Sequence, residues 1–234
     1  MIDARDLSFA YPRGGFTLQV PELQVAGGER VAVIGPSGTG KTTLLNLLAG
    51  LAVPDRGRLT VAGTDLAGQS DGQRRAFRAR RIGFIFQNFA LVDYLDALEN
   101  ILYPYRVGVG LKLDAAARDR ARLLAEACGI AERLKNHPNA LSGGEQQRVA
   151  ICRALVTQPA LILADEATGN LDPETKEAIL DLLFDRAAEM QATVLAVTHD
   201  HGLLPRFDRV IDFAALRQRT APEAQPVVPE GRPA

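Results

Sequence analysis

The sequence contains few cysteines and no long apolar run. Only two of its 234 residues are cysteine, Cys128 and Cys152, and no short cysteine spacing or cysteine–histidine cluster suggests a metal site. Both lie in apolar, helix-like patterns, which predicts reduced cysteines in the core of a cytosolic protein. No apolar run approaches the ~20 residues of a membrane span, and the acid-containing start MIDARDLSFAYP is unlike a secretory signal. We therefore expect a soluble chain whose membrane role, if any, comes through a partner.

An excess of charge of either sign is also lacking. The net charge is −1, so nothing global favours nucleic acid or an acidic membrane surface. One basic segment, RRAFRARR, stands out, and its arginines are Arg74, Arg75, Arg78, Arg80 and Arg81. They could bind nucleic-acid or lipid phosphates, or form a solvated helix face paired with acids of the neighbouring helical insert. We favour the helix face and expect no nucleic-acid partner, because no aromatic stacking platform accompanies the arginines.

The chain alternates buried strands with helices. Short apolar strands and turns over residues 1–34 end in RVAVIG, a β-branched run typical of a strand buried on both faces. A glycine-rich turn and the helix KTTLLNLLAGL follow. Between about 88 and 158 the pattern is mostly helical, and the strand–helix alternation then resumes. The sequence therefore predicts an α/β fold with a helical insert.

The end of the chain has a different composition. The last fifteen residues, TAPEAQPVVPEGRPA, contain four prolines and no hydrophobic periodicity. We expect one domain over 1–213, followed by a disordered, proline-rich tail over 214–234.

The segment GPSGTGKT matches the complete phosphate-loop spacing between a strand and a helix. Its glycines let successive backbone N–H groups face one concavity around a β-phosphate, while Lys41 supplies positive charge and Thr42 a hydroxyl for Mg²⁺. The residues predicted to bind phosphate are Gly35, Ser37, Gly38, Thr39, Gly40, Lys41, Thr42 and Thr43.

Acidic and imidazole side chains follow two further strands. In ALILADEATGNLD, Asp165 ends a buried strand, where ligands gather in open α/β sheets, and is predicted to hold Mg²⁺. Glu166 points elsewhere in an extended chain and is the candidate base that polarises a water for attack on a γ-phosphate. His199, at the end of AVTHD, can contact that phosphate or orient the water. Gln87, after IGFIF, can contact Mg²⁺ or the same water.

A second anion-binding shape occurs at LSGGEQQR, where a Ser-Gly-Gly turn enters a helix. A single nucleotide does not obviously need two phosphate-binding turns from the same chain. In this order and spacing, the phosphate loop, Gln87, LSGGEQQR, DEATGNLD and His199 resemble the ATP-binding subunit of an ABC transporter over residues 1 to about 213. The resemblance implies a P-loop NTPase core with an N-terminal antiparallel β subdomain and an inserted helical subdomain.

The resemblance also explains the second turn. Members of this family form head-to-tail dimers, so Ser142, Gly143 and Gly144 would bind the γ-phosphate of an ATP held by the second copy. Tyr11 matches the aromatic residue that stacks on adenine, and Phe9 is the less favoured choice. The implied activity is Mg²⁺-dependent hydrolysis of ATP coupled to transport.

Within the family, RRIGFIFQNFALV and TGNLD look most similar to the branch that serves lipoprotein release, macrolide export and cell division. The resemblance implies a separate transmembrane permease subunit, contacted through VDYLDALEN, and a place on the cytoplasmic face of the membrane. Three alternatives stay open: an importer ATPase, an ATPase acting on nucleic acid or the ribosome, and a regulatory subunit with almost no turnover.

Overall fold

Two β-sheets form the framework of the chain, in a computed structural model that describes residues 1–12, 16–169 and 171–218. The strands, in chain order, are β1 (Ile2–Ala10), β2 (Thr17–Val25), β3 (Arg30–Ile34), β4 (Arg56–Val61), β5 (Thr64–Asp65), β6 (Ile82–Ile85), β7 (Leu161–Asp165), β8 (Thr193–Val197) and β9 (Arg209–Asp212). The helices are α1 (Lys41–Leu48), α2 (Asp71–Arg81), α3 (Ala97–Val107), α4 (Ala115–Ala127), α5 (Gly143–Leu155), α6 (Pro173–Glu189) and α7 (Phe213–Gln218).

The central sheet is parallel, with five strands in the order β6-β7-β8-β3-β9. All five residues of β8 are buried, as expected for a strand covered on both faces. The order places the carboxyl ends of β6, β7, β8 and β3 side by side. Gln87, Asp165, His199 and Gly35 lie at or just after these ends, so the topology collects the predicted functional residues at one edge.

The other sheet is antiparallel and has the strand order β2-β1-β4-β5. Its alternating inward residues, such as Leu18 and Val20, share a hydrophobic core with Leu44 and Leu48 of α1. The predicted α/β core with an N-terminal antiparallel β subdomain is therefore confirmed.

The segment between β6 and β7 contains α3, α4 and α5, with no strand. Helix α4 ends near Gly129, whose φ of 68° is the left-handed conformation expected of a glycine that closes a helix. Cys128 and Cys152 are free and buried in the core that these helices share with β7 and α6, as the sequence pattern predicted.

The arginines of α2 have partners other than those predicted. Arg74 and Arg75 pair with Asp71 of their own helix. Arg78 donates to the carbonyls of Ala49 and Gly50 after α1, and Arg80 donates to the Gly110 carbonyl. The predicted pairing with acids of the helical insert was wrong, because an acid of the same helix pairs with two of these arginines and backbone carbonyls accept from two others.

The predicted tail boundary also changes. Helix α7 occupies the first residues assigned to a disordered tail, because Phe213 is fully buried and Asp212 accepts hydrogen bonds from the backbone N–H groups of Ala214 and Ala215. The rest of the predicted tail, 219–234, lies outside the described residues. Within the described part of the chain, no helix has both the length and the apolar character needed to cross a membrane.

Candidate functional site

The phosphate loop joins the end of β3 to the start of α1. Gly40 precedes α1 with a φ of 103°, a conformation that other residues rarely adopt. A Cβ at this position would lie 2.5 Å from Cζ of Phe16, so the aromatic ring and the loop backbone are in close contact. A glycine is needed here on both grounds, and the first N–H groups of α1 are available for an anion.

Lys41 carries its charge inside the loop. The side chain is buried, and its ammonium group donates to the carbonyls of Gly35 at 2.7 Å and Pro36 at 2.9 Å. Thr39 donates its hydroxyl to the same Pro36 carbonyl. The loop therefore holds a positive charge among its own carbonyls, next to the N-terminus of α1.

Thr42 connects the loop to the end of β7. Its hydroxyl donates to Oδ2 of Asp165 at 3.0 Å. Burial raises the pKa of Asp165, and the charge of Glu166 raises it further, whereas the Thr42 hydrogen bond and the charge of Lys41 oppose the shift. Two hard oxygen donors thus meet at a partly desolvated carboxylate, which a cation would stabilise.

Glu166 and His199 meet across neighbouring strands. Oε1 of Glu166 lies 3.3 Å from Nδ1 of His199, which follows β8 and has a 64% exposed side chain. Glu166 has a φ of 47°, and its backbone N–H donates to the Val197 carbonyl of β8. Left-handed backbone is costly for a glutamate, and such strain clusters at functional sites. The strained turn thus holds the Glu166 carboxylate beside His199.

A cavity of about 350 Å³ is bordered by the phosphate loop and by the carboxylates of Asp165 and Glu166. The residues that line it are Tyr11, Phe16, Ser37, Gly38, Gly40, Lys41, Thr42, Thr43, Asp165, Glu166 and Val197. Most of the predicted phosphate-binding residues are thus brought together with both carboxylates.

Two aromatic rings form one wall of the cavity. Tyr11 is 43% exposed, and its hydroxyl lies 3.3 Å from the Thr43 hydroxyl. Phe9 is buried and packs edge-on against Tyr11, with 4.9 Å between ring centroids, so it offers no open face. Phe16 was missed in the sequence interpretation. The signal that could have found it is a second aromatic residue at the start of β2, the strand that pairs with β1.

Gln87 and His199 do not line this cavity. Gln87 is exposed after β6, and its Nε2 lies 3.7 Å from the position of a Cβ on Gly169, in the turn that follows Glu166. Both side chains therefore contact or approach the Glu166 turn from its outer side.

The Ser-Gly-Gly turn lies outside the cavity as well. Ser142 caps α5, accepting from the Glu145 N–H at 3.3 Å, while the Glu145 carboxylate accepts from the Ser142 N–H at 2.8 Å. That backbone hydrogen bond, with Arg133 at 2.7 Å, lowers the pKa of Glu145. Ser142 and Gly143 are exposed. A well-formed helix N-terminus thus lies outside the cavity that the phosphate loop of its own chain borders.

The chain is similar to known proteins in sequence and in fold. The ABC transporter family profile matches residues 18–169, and the chain belongs to this family. A lipoprotein-releasing system ATP-binding protein LolD from Pseudomonas fluorescens is 42% identical over 214 residues, 90% of this chain and 93% of the relative. The LolD of Chromohalobacter salexigens is 46% identical over 200 residues, covering 86% of this chain and 84% of the relative.

Two solved structures of the ATP-binding cassette MJ0796 have the same fold. One is a dimer in a post-hydrolysis state bound to ADP and Pi, 36% identical with a TM-score of 0.80, covering 91% of this chain and 94% of that chain. The other, a dimer described as a bacterial ABC transporter cassette, is 37% identical with the same TM-score and the same shares covered. The predicted ABC-type ATPase that binds and hydrolyses ATP is therefore confirmed.

Proposed function

We propose that this chain is the ATPase subunit of a membrane complex that extracts lipoproteins from the cytoplasmic membrane, and that it acts as a dimer on the cytoplasmic face. The observation that carries the enzymatic part is the position of Glu166, which lines the same cavity as Lys41 and Asp165 and contacts His199. The relatives named as lipoprotein-releasing ATPases support the substrate class. Transport in the opposite direction, as in an importer, is the alternative.

The phosphate groups of ATP are held by the loop between β3 and α1. Lys41 supplies a buried positive charge, and the N–H groups at the start of α1 add partial positive charge. Tyr11 offers an exposed ring in the wall of the cavity, and we propose that this ring stacks on the base.

Mg²⁺ fits the oxygen donors at the end of β7. The hydroxyl of Thr42 and the carboxylate of Asp165 are already in contact at 3.0 Å, and burial disfavours the ionised carboxylate in the absence of a cation. Thr42 and Asp165 would hold the ion there, and it would supply positive charge that offsets the charge of the bound phosphates. Gln87 approaches the same edge from the end of β6 and is the third group that we place near the metal.

Hydrolysis uses the side chains of Glu166, which lines the cavity, and of His199, which contacts it. Glu166 accepts a proton from the attacking water, and its backbone is held by the Val197 carbonyl, so the carboxylate does not depend on the metal for its position. His199 contacts the Glu166 carboxylate through Nδ1, and in the doubly protonated ring its Nε2–H would donate to the γ-phosphate.

The second copy completes each site. Ser142, Gly143 and Gly144 form a turn at the start of α5, outside the cavity of their own chain, and Ser142 and Gly143 are exposed. A turn of this shape binds a phosphate with backbone N–H groups and the helix dipole. We place it on the γ-phosphate bound by the partner, in the arrangement of a nucleotide-sandwich dimer.

The transmembrane subunit docks beside β6. A groove of about 390 Å³ lies between α2, β6 and α3, and apolar side chains on its rim, Phe86, Val107 and Val109, are exposed. In the adjoining segment that the sequence assigns to the partner, Tyr94 is 78% exposed. Such a contiguous apolar patch marks an interface, and the occupant we propose is a cytoplasmic segment of the permease.

The enzymatic proposal is tested by Glu166→Gln, with Glu177→Gln on the exposed face of α6 as the matched control. Loss of a general base lowers turnover by about 10²-fold or more, while ATP binding is retained because the phosphate loop is unchanged. The control keeps the wild-type rate. Hydrolysis at the wild-type rate in Glu166→Gln would show that another group activates the water.

The transport proposal needs the complex. Photo-crosslinking from position 94 in membranes, followed by identification of the bound permease, names the partner. Reconstitution of both subunits in proteoliposomes that contain a membrane-anchored lipoprotein then measures ATP-dependent release. Uptake of a soluble solute without lipoprotein release would favour the importer alternative.

A further inference from the structure

A buried arginine connects α5, the helix that follows the Ser-Gly-Gly turn, to the segment after Gln87. Arg153 lies in the last turn of α5 with a residue exposure of 8%, and Lys41 is the other buried basic residue of the described ranges. No carboxylate forms an ion pair with Arg153 within those ranges, and burial lowers its pKa to about 10. The guanidinium is still charged at neutral pH, so its burial requires compensation by hydrogen bonds.

Two backbone carbonyls supply that compensation. Nη2 of Arg153 donates to the Phe89 carbonyl and Nη1 to the Ala90 carbonyl, each at 2.5 Å. The planar guanidinium presents its N–H groups as a fixed fork, which suits two adjacent acceptors better than an ammonium group would. Charge-assisted hydrogen bonds of this kind are among the stronger ones in proteins.

The segment that Arg153 holds is strained. Phe89 has a φ of 59° and Ala90 a φ of 48°, so two consecutive residues other than glycine adopt the left-handed conformation. This conformation is disfavoured for residues other than glycine and persists only where the surroundings enforce it. Apart from the Arg153 hydrogen bonds, the turn contains short-range backbone bonds from Phe89 to Phe86 and from Ala90 to Asn88.

Arg153 lies at the opposite end of α5 from the Ser-Gly-Gly turn. Helix α5 starts at the Ser-Gly-Gly turn, whereas its last turn holds the strained segment two residues after Gln87. Arg153 and Ala90 also line the 390 Å³ groove between α2, β6 and α3. A single side chain therefore joins the helix that presents the turn to the partner, the segment that carries Gln87, and the groove assigned to the permease.

We propose that Arg153 is a positioning residue for ATP hydrolysis. It fixes the strained turn at Phe89 and Ala90 to α5 and thereby sets the position of Gln87 beside the Glu166 turn. Because α5 also carries the Ser-Gly-Gly turn, Gln87 follows the movements of that turn. This inference rests on the proposed function, because it assigns Gln87 and the Ser-Gly-Gly turn to the same reaction. Arg153 touches neither the nucleotide cavity nor the carboxylates that line it.

The test uses a tryptophan reporter in the full chain, which has no tryptophan of its own. Phe89→Trp places the sole tryptophan at the strained turn, and its fluorescence anisotropy reports how tightly the turn is held. Arg153→Met is then added. We expect a lower anisotropy and a kcat reduced by about tenfold to hundredfold, the loss typical of a misplaced group remote from the chemistry. The Kd for ATP stays close to the parent value, because the phosphate loop is untouched.

Arg120→Met is the matched control. Arg120 also donates from the helical region to a carbonyl, that of Val156, and to the Tyr105 hydroxyl, but it does not touch the turn. It should lose stability without a change in kcat or anisotropy. An equal loss of kcat in this control would show a general packing effect and overturn the proposal, as would parent values of kcat and anisotropy in Arg153→Met.

If the Arg153→Met variant does not fold, the Arg153→Lys variant tests the proposal in its place. Lysine keeps the charge but not the fork, so kcat and anisotropy should lie between the parent and the methionine variant, and full parent values would contradict the inference. Failure of the proposed function is distinguishable, because it appears as absent ATP turnover in the Phe89→Trp parent before any change at Arg153.

Discussion

The hydroxyl of Thr42 donates a hydrogen bond of 3.0 Å to Oδ2 of Asp165, so the start of α1 and the end of β7 meet directly. The two residues are 123 positions apart in the sequence. Their contact brings the phosphate loop against the acidic strand end before any nucleotide is considered. In this arrangement the ionised form of Asp165 is disfavoured: its pKa is raised chiefly by burial and further by the charge of Glu166.

Asp165→Asn should therefore stabilise the nucleotide-free chain at pH 7 while it lowers Mg²⁺-dependent ATPase activity. The substitution removes a charge that the folded state disfavours, and asparagine keeps an acceptor for Thr42. We expect thermal unfolding midpoints about 2 °C higher or more, measured by circular dichroism without nucleotide. A lower midpoint at pH 7 would contradict this interpretation of Asp165.

The sign of the pH dependence follows from linkage. A carboxyl whose folded pKa is raised stabilises the fold below its unfolded pKa of ~3.9, and this contribution is lost as pH rises through the raised value. The variant and the parent should therefore converge below about pH 4 and separate above it. Asp208→Asn is the control of opposite sign, because its hydrogen bond to Arg30 lowers the pKa of Asp208. That variant should be less stable than the parent at pH 7.

Spacing alone predicted much of the site, because the phosphate loop and the Ser-Gly-Gly turn are local structures. The helix that starts after Ser142 follows from short-range hydrogen bonds, and it is present. Gly40 likewise occupies the left-handed conformation that the loop requires.

Other features depend on the order of strands in the sheet, which no local pattern encodes. Glu166 contacts His199 because β7 and β8 are neighbours. The left-handed backbone of Glu166 was not predicted, since an extended chain was assumed at this position. Arg153 was missed for a similar reason: its acceptors lie 63 and 64 residues away, and its position on an amphipathic helix shows nothing of them.

The ring of Tyr11 should contribute to ATP affinity. Tyr11→Ala removes the exposed ring from the cavity wall, and loss of base stacking of about 1–3 kcal/mol should raise the KM for ATP several-fold or more. Since stacking does not distinguish bases, GTP should be affected equally. Steady-state ATPase and GTPase assays measure both effects.

Tyr11→Phe separates the ring from its hydroxyl. It keeps the ring and removes only the contact with the Thr43 hydroxyl, so the KM should remain near that of the parent. If phenylalanine raised the KM as much as alanine does, the hydroxyl contact rather than stacking would be the source of affinity.

Two glycines of the antiparallel sheet test the fold without touching the site. Gly57 has a φ of 88°, and a Cβ there would lie 2.3 Å from the Asp6 carbonyl oxygen, whereas Gly63 has a φ of 76° with no atom within 4 Å. Gly63→Ala should cost about 1–2 kcal/mol for left-handed backbone. Gly57→Ala should cost roughly 3 kcal/mol or more, because β1 must also move.

Urea denaturation monitored by circular dichroism measures both values. The ratio of the two is the informative quantity, since each variant introduces the same methyl group at a positive φ. Equal losses would mean that β1 and β4 separate freely at Gly57, which would contradict the close approach of their backbones.

Dimerisation can be tested at Ser142 with a nearly isosteric pair. Aspartate and asparagine both cap helices well, so either should preserve the capping of α5 by accepting from the Glu145 N–H. Only aspartate adds a negative charge at the turn that we place on the partner's γ-phosphate. Ser142→Asp should bind ATP as a monomer with near-parent affinity but fail to form the ATP-driven dimer, and its turnover should fall.

Ser142→Asn should dimerise and turn over much closer to the parent. Analytical ultracentrifugation with ATP in a Glu166→Gln background, which slows hydrolysis, compares the two variants at equal nucleotide occupancy. Loss of ATP binding by the Ser142→Asp monomer would mean that the turn reaches the nucleotide of its own chain. Ser142 is exposed and lies outside the cavity that contains Lys41. We therefore expect the aspartate to repel only the γ-phosphate bound by the second copy, so that the monomer still binds ATP.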